Sequence, residues 1–324
     1  MTDRGEQVVT LTMNPSLDKS TETERVDPDR KLRCGPITRE PGGGGINVSR
    51  VVHRLGHPTV AVYPSGGSMG EDLNRLMAEE SAHTRTVPVG PSIRESLMVM
   101  ETASRAQYRF SFPGPTLDDS EVKACLDVVC ELAADRRVVV LSGSLPPGVP
   151  AGLYREIAEA LSSDDCMIVV DTSGQPLKEA VEGPVFLIKP NLGEFEELME
   201  ASLPNDEAIA DAARDLVRRT ALEHLVVSLG AGGAVVVSGE RFERISSPTV
   251  PIRSRVGAGD SAVGGIAYGL ARGMTVGRSA RVGVAAGAAT VMSPGTSLCQ
   301  RSDVDRLFQG MTGEPLPGGR ERER

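Results

Sequence analysis

Short apolar runs suited to β-strands recur along the chain, at Val8–Thr12, Thr59–Tyr63, Val138–Leu141, Met167–Val170, Phe186–Ile188, Leu225–Leu229 and Ala234–Val237. Between many of them lie segments whose apolar residues repeat at helical spacing: Ile46–Leu55, Glu71–Glu80, Glu121–Ala133, Gly152–Leu161 and Glu207–Thr220. That alternation predicts an α/β fold, a mostly parallel central sheet flanked by helices on both faces. Near the C-terminus, Ala258–Ala271 and Val276–Val291 are rich in Ala and Gly, which suits close helix packing. Two stretches break the rhythm. Ser20–Arg39 is polar with no helical period, and Glu95–Phe112 reads as two strands, Leu97–Glu101 and Gln107–Phe112, joined by a turn-like Thr-Ala-Ser-Arg. Together they predict a small second sheet set on the main one. A single domain over residues 1–312 is expected, with 313–324 a disordered tail ending Arg-Glu-Arg-Glu-Arg.

Composition narrows the function. Hydrophobic residues make up 40% of the 324, enough for a full core, and with no Trp that core must be built from Val, Leu, Ile, Ala and Met. The formal charge of −9 and the absence of a basic stripe exclude a nucleic-acid partner. An anionic substrate must therefore be held locally, by helix N-termini and single basic side chains. Five scattered cysteines without a C-x-x-C pair argue against a zinc site or a disulfide framework and fit a reducing cytosol. No signal peptide and no membrane-length apolar run is visible, so a soluble, cytoplasmic protein without membrane partners is expected.

The strongest chemical signal is Val256-Gly-Ala-Gly-Asp-Ser261, opening the first small-residue helix. Gly257, Ala258 and Gly259 can turn several N–H groups toward one point at a positive helix end, an anion hole suited to a transferring phosphoryl group. Asp260 at its edge is placed to take a hydroxyl proton; the competing reading is a plain helix N-cap. The same string fits the dinucleotide pattern G-x-G-x-x-A, but no acidic residue follows about 20 positions on, and that reading fails. A second signal, Pro41-Gly-Gly-Gly-Gly-Ile-Asn-Val48, brings bare backbone to the start of a helix, where Asn47 can bond sugar hydroxyls. In Lys189-Pro-Asn-Leu-Gly-Glu194, Asn191 and Glu194 follow a strand end and suit either hydrated Mg²⁺ or a helix-capping pair. Ser228-Leu-Gly-Ala-Gly-Gly233 suits nucleotide phosphates or a hairpin turn.

In this order, together with Thr12-Met-Asn-Pro-Ser-Leu-Asp18 and Ser142-Gly-Ser-Leu-Pro-Pro-Gly148, the motifs resemble the PfkB-type sugar kinases of the ribokinase superfamily. The similarity runs from Thr10 to about Phe308 and implies a ribokinase-like fold with a β-sheet lid from about 18–40 and 92–112. Lys31-Leu-Arg-Cys34, Gln107-Tyr-Arg-Phe110 and Gly295-Thr-Ser-Leu-Cys299 resemble the family's 6-phosphofructokinases. The 1-phosphofructokinases and tagatose-6-phosphate kinases usually carry a Lys where this chain has Gly44. The resemblance implies ATP-dependent phosphorylation of a ketose phosphate, fructose 6-phosphate ahead of tagatose 6-phosphate or fructose 1-phosphate. A non-catalytic sensor on the same fold should have lost the glycines or Asp260, and all are present.

By position, the resemblance implies that Asp18, Gly42, Gly43 and Asn47 bind the sugar. Arg94, Lys31, Arg33 and Ser144 would face its phosphate. It implies Lys189, Asn191, Ser228, Gly230, Gly232 and Gly233 for the nucleotide, Asn191 and Glu194 for Mg²⁺, and Asp260 as the base. Ser254, Val256, Thr290, Ser293, Gly295 and Ser297 match a K⁺ site formed largely by carbonyls. A homodimer joined through the lids is also implied.

Overall fold

The computed structural model describes residues 7–133, 138–162 and 166–318. Its frame is a nine-stranded sheet in the order β13-β12-β11-β10-β9-β8-β1-β4-β5. The middle is parallel: β1 (Val8–Leu11) lies between β4 (Thr59–Ser65) and β8 (Val138–Ser142), followed by β9 (Met167–Asp171), β10 (Leu187–Ile188) and β11 (His224–Ser228). These strands are continuous apolar runs because both faces are covered. Leu11, Val139 and Val170 pack into the largest core cluster on one face, while Val8, Val140 and Val169 meet α1 (Gly44–Arg54) and α8 (Ala258–Ala271) on the other. At one edge, β12 (Ala234–Ser238) and β13 (Arg241–Ile245) run antiparallel; at the other, β5 (Thr84–Pro88) pairs with β4.

α8 and α9 (Val276–Val291) pack closely because Gly265, Gly269 and Gly283 leave room for the opposing backbone: a Cβ on Gly265 would stand 2.7 Å from the Val282 carbonyl. Both helices span the residues that the small-residue pattern predicts.

A separate four-stranded sheet forms the lid, in the order β3 (Thr38–Gly42), β2 (Ser16–Thr23), β6 (Arg94–Glu101), β7 (Gln107–Ser111). Its central pair β2/β6 is parallel, with Ser16 opposite Arg94 and Asp18 opposite Ser96. Asp18 also faces Glu40 across β3, so one end of the lid carries the polar side chains down to the main sheet.

The expected tail from residue 313 needs correction as far as 318. Leu316 is buried, and the Pro317 carbonyl accepts from the Tyr268 hydroxyl, because the chain after α10 (Arg301–Thr312) turns back onto α8 through left-handed Gly313. The Arg-Glu-Arg-Glu-Arg end lies outside the described residues. None of the five cysteines is joined in a disulfide. Among the described residues no helix is long and apolar enough to cross a membrane.

The glycine run is set by contact. Gly43, at φ +116°, is the N-cap of α1 and offers no side chain, so the Thr12 hydroxyl from the end of β1 accepts the Ile46 N–H at 2.7 Å instead. A Cβ on Gly45 would stand 2.5 Å from the Leu11 carbonyl and 2.7 Å from that capping hydroxyl. One on Gly44 would collide with Ser142 and come within 2.9 Å of the Gly143 nitrogen. Gly45→Ala should therefore destabilise the fold by about 1–3 kcal/mol, the usual cost of overpacking. Urea unfolding checks it; an unchanged midpoint would mean that the backbone yields freely here.

Candidate active site

Because β1, β8, β9, β10 and β11 are parallel, their C-terminal ends line one edge, and several polar residues follow those ends, predicted ones among them. Asn14 follows β1, Ser144 follows β8, Asp171 closes β9, Lys189 follows β10 and Ser228 closes β11. The lid stands over this edge, with the Asp18 carboxylate lying against Gly42, where a Cβ would run into it.

Asp260 is the third residue of α8, not its cap. The N-cap is Gly257, at φ +74°, with no side-chain hydrogen bond, and a Cβ on it would lie 2.7 Å from Leu298. The first-turn N–H groups at Ala258–Asp260 thus have neither a helical acceptor nor a side-chain cap. The Asp260 carboxylate turns instead to Asn47, whose Nδ2 donates to Oδ2 at 2.8 Å. Protein surrounds it on most sides, and that desolvation pushes its pKa up to about 6, with Asp171 and Asp18 raising it further and Asn47 and Lys189 opposing.

Beside it, buried Lys189 lies 3.0 Å from Asp171 Oδ1. Burial disfavours the ammonium, but Asp171, Glu194 and Asp260 outweigh it and raise the net proton affinity, so Lys189 stays charged. Asn191 and Glu194 form a reciprocal capping box on α6 (Leu192–Met199): Asn191 Oδ1 accepts from the Glu194 N–H at 2.9 Å, and Glu194 Oε2 from the Asn191 N–H at 2.8 Å. Ser228 bridges to Asn191, and its N–H donates to the Pro190 carbonyl at 2.9 Å. Gly230–Gly232 form a 3₁₀ turn that closes the β11–β12 hairpin, with Gly230 and Gly233 at positive φ.

On the lid side, Arg94 is not a solvated strand-edge residue. It is half-buried in a strand flanked on both sides, donating to the Ser111 hydroxyl (3.2 Å) and the Asn14 carbonyl (3.4 Å). Burial is the main influence on its proton affinity, lowering it, while Asp18 opposes. Asp18 itself has a raised pKa, chiefly from desolvation, against a hydrogen bond from the Ser16 hydroxyl (2.6 Å) and the charges of Arg94 and Arg50. Asn14 Nδ2 donates to Ser144 Oγ at 3.0 Å, while its own Oδ1 is buried with no partner among the described residues.

Lys31 and Arg33 are not brought to this cluster within one copy. Both are exposed, and the Arg33 carbonyl accepts from the Thr23 hydroxyl, five residues past Asp18 along β2 and thus about 16 Å away at about 3.3 Å per residue. The residues matching a K⁺ site sit on two loops laced together: the Arg253 and Ser254 N–H groups donate to the Val291 carbonyl (2.7 and 3.2 Å). Thr290 is buried, its hydroxyl donating to Ser261 (2.7 Å) and accepting from the Cys299 N–H (3.0 Å). Left-handed Gly295 turns the second loop, where Ser293 and Ser297 also sit, and Val256 closes the first.

Sequence reasoning missed Asn14, Arg50 and Asp171. Asn14 lies inside a motif already singled out, Asp171 ends an apolar strand, and Arg50 is a charged residue on the buried face of α1.

A family model described as pfkB family carbohydrate kinase matches residues 11–303. The chain is 42% identical over 316 residues to a Mycobacterium tuberculosis protein named ATP-dependent 6-phosphofructokinase isozyme 2, covering 98% of this chain and 93% of that one. Escherichia coli phosphofructokinase-2 superposes with a TM-score of 0.90 and 37% identity in its complex with potassium. In the complex with fructose-6-phosphate the values are 0.89 and 36%; each comparison covers 94% of this chain and 99% of that one. An Arabidopsis thaliana ribokinase, at 19% identity and a TM-score of 0.74, shares the ribokinase-like fold.

Proposed function

The chain belongs to the pfkB family of carbohydrate kinases, and from that premise we propose that it transfers the γ-phosphoryl group of ATP to the 1-hydroxyl of fructose 6-phosphate. The observation that carries the reading is Asp260, held by Asn47 beside the uncapped N-terminus of α8. The sugar lies between Asp18, Asn47 and the Gly42–Gly43 backbone, its phosphate on Arg94, Asn14 and Ser144. Asp260 accepts the hydroxyl proton as the oxygen–phosphorus bond forms and the bond to the ADP oxygen breaks. N–H groups of residues 258–260 and the helix dipole hold the charge spread over the equatorial oxygens. The Ser228–Gly233 turn and Lys189 serve the nucleotide. The test is product analysis: with MgATP and fructose 6-phosphate, ³¹P NMR should show ADP and fructose 1,6-bisphosphate in equal amounts, and no turnover would refute it.

Mg²⁺ suits the donor set. The capping box occupies only one Glu194 oxygen, leaving the other free to hold a hydrated ion together with the nucleotide phosphates. There it would neutralise charge on the β- and γ-phosphates. Glu194→Gln should raise the Mg²⁺ concentration needed for half-maximal rate and lower kcat, with the fructose 6-phosphate KM little changed. An unmoved Mg²⁺ dependence would leave Glu194 as a cap alone. K⁺ at the carbonyls of the 254–256 and 293–297 loops follows from likeness to the relative solved with potassium.

A homodimer through the lids is part of the reading. The lid sheet and the segment beside it expose Leu32, Ile37, Phe110 and Phe112, an apolar surface that a second copy would cover. Pairing there would also let Lys31 and Arg33 reach the partner's sugar phosphate.

A further inference from the structure

We propose that Arg50 is a positioning residue for phosphoryl transfer, its guanidinium fixing the Asn47 side-chain amide so that the N–H end faces Asp260. This rests on the reading of Asp260 as the base. An asparagine amide is nearly symmetric in shape but carries a donor at one end and an acceptor at the other. Turned over, it would set its carbonyl against the Asp260 carboxylate, acceptor against acceptor. Asn47 sits in the first turn of α1. Arg50, three residues on and so on the same helix face, donates from Nη1 to Asn47 Oδ1 at 3.1 Å. Arg has donors and no acceptor, so only the amide oxygen can face it, and Nδ2 is left to donate to Asp260 at 2.8 Å.

Arg50 is itself fixed. It is only 2% exposed, and its Nη1 also donates to the Pro41 carbonyl at 3.0 Å, tying it to the start of the glycine run. Nε bonds Glu80 Oε1 at 2.9 Å, Nη2 pairs with the same carboxylate, and Glu40 Oε1 of the lid lies 3.8 Å from Nη2. Arg54 shares Glu80 (3.1 Å) and donates to the Leu298 carbonyl at 3.0 Å. Burial works against the Glu80 carboxylate, yet the two arginines outweigh it and hold its pKa below the ordinary value. Two guanidiniums and two carboxylates thus close a compact network in which the planar fork of Arg50 serves a backbone carbonyl, an amide and a carboxylate at once. A lysine ammonium, a point donor on a flexible stem, reproduces only part of it.

The consequence falls on the base. Of the groups facing Asp260, Asp171 and Asp18 disfavour its charge, Lys189 favours it, and Asn47 supplies the hydrogen bond. With Arg50 gone, Asn47 is free to turn, and the carboxylate loses both its partner and its aim. A loss of kcat on the order of 10–100-fold is expected, the scale of a misplaced catalytic group.

A double-mutant cycle with fructose 6-phosphate and MgATP tests it. Arg50→Lys should lower kcat by about that factor and move its acid limb to higher pH, with the KM for ATP little changed. In an Asn47→Ala background the same substitution should cost less than about 2-fold, because Arg50 acts through Asn47. Should Arg50→Lys fail to fold, the charge-balanced pair Arg50→Met with Glu80→Gln, read against Glu80→Gln alone, takes its place. Equal losses in both backgrounds, or no loss in either, would overturn the proposal. Asp260→Asn run in parallel keeps the two readings apart: if it stays active the base assignment fails, whereas if it is inactive and the cycle is additive, Arg50 alone is refuted.

Discussion

Asp260→Asn is expected to fold normally and to lose turnover by about 10²–10⁴-fold, the usual worth of general-base assistance. The helix should survive because its N-cap is Gly257 and Asp260 makes no capping bond. An Asn retains the shape and can still meet the Asn47 amide, but it cannot accept a proton. The base works ionised, so with a pKa of about 6 the wild-type kcat should fall about tenfold per unit below pH 6, a limb absent from the variant's residual rate. Stability moves the other way. A carboxyl whose folded pKa lies above its ordinary value contributes stability that is full below that value and lost as the pH rises through about 6. At pH 7.5 the wild type therefore carries a buried charge that the variant lacks. Asp260→Asn should be more stable there by about 1–3 kcal/mol, discounted for the partly open side of the carboxylate, and the advantage should vanish toward pH 4. Near-full kcat, or a variant no more stable at pH 7.5 than at pH 4, would contradict this.

Arg94→Ala should lower kcat/KM for fructose 6-phosphate by roughly 10–150-fold, the loss of one charge-assisted bond of about 1.5–3 kcal/mol to phosphate. The lid presents Arg94 to the site end of β2, with two neutral contacts and no closed ion pair among the described residues, so its charge remains available to an incoming phosphate. With a net charge of −9, the chain offers no general attraction to compensate. The KM for ATP should barely move, since the proposed nucleotide side of the site lies at β10 and β11. Unphosphorylated fructose, having no phosphate to lose, separates the roles. If Arg94→Ala weakens fructose as much as fructose 6-phosphate, Arg94 supports the lid and does not clamp the phosphate.

Both predictions draw on residues that were legible in the sequence, and the limits of that legibility are physical. Central strands such as Val8–Leu11 and Val138–Ser142 are covered on both faces and so read as plain apolar runs, found to within a residue. β5 (Thr84–Pro88) and β13 (Arg241–Ile245) lie at the two edges; each buries a single residue, and neither stands out as a strand. The lid strands β2 and β3 are polar because they face the ligand site and solvent, which left Ser20–Arg39 without a period to follow. The glycine motifs stood out because close backbone approach demands that residue type. What the sequence could not show is pairing: Asn47 meets Asp260 across 213 positions and Lys19 meets Glu95 across 76. Lys31 and Arg33 carry the right charge for a sugar phosphate, yet the chain runs past the site and leaves them at the far end of the lid.

The most direct test of the proposed activity is a comparison of kcat/KM with MgATP for fructose 6-phosphate, tagatose 6-phosphate and fructose 1-phosphate under one set of conditions. Fructose 6-phosphate should lead both others by at least about tenfold: fructose 1-phosphate because the phosphate and the free primary hydroxyl are exchanged, tagatose 6-phosphate through its inverted C4 hydroxyl. A higher kcat/KM for fructose 1-phosphate would contradict it and mean that the Arg94 end of the site does not read a 6-phosphate; a higher kcat/KM for tagatose 6-phosphate would contradict the choice of fructose, which differs from it only at C4.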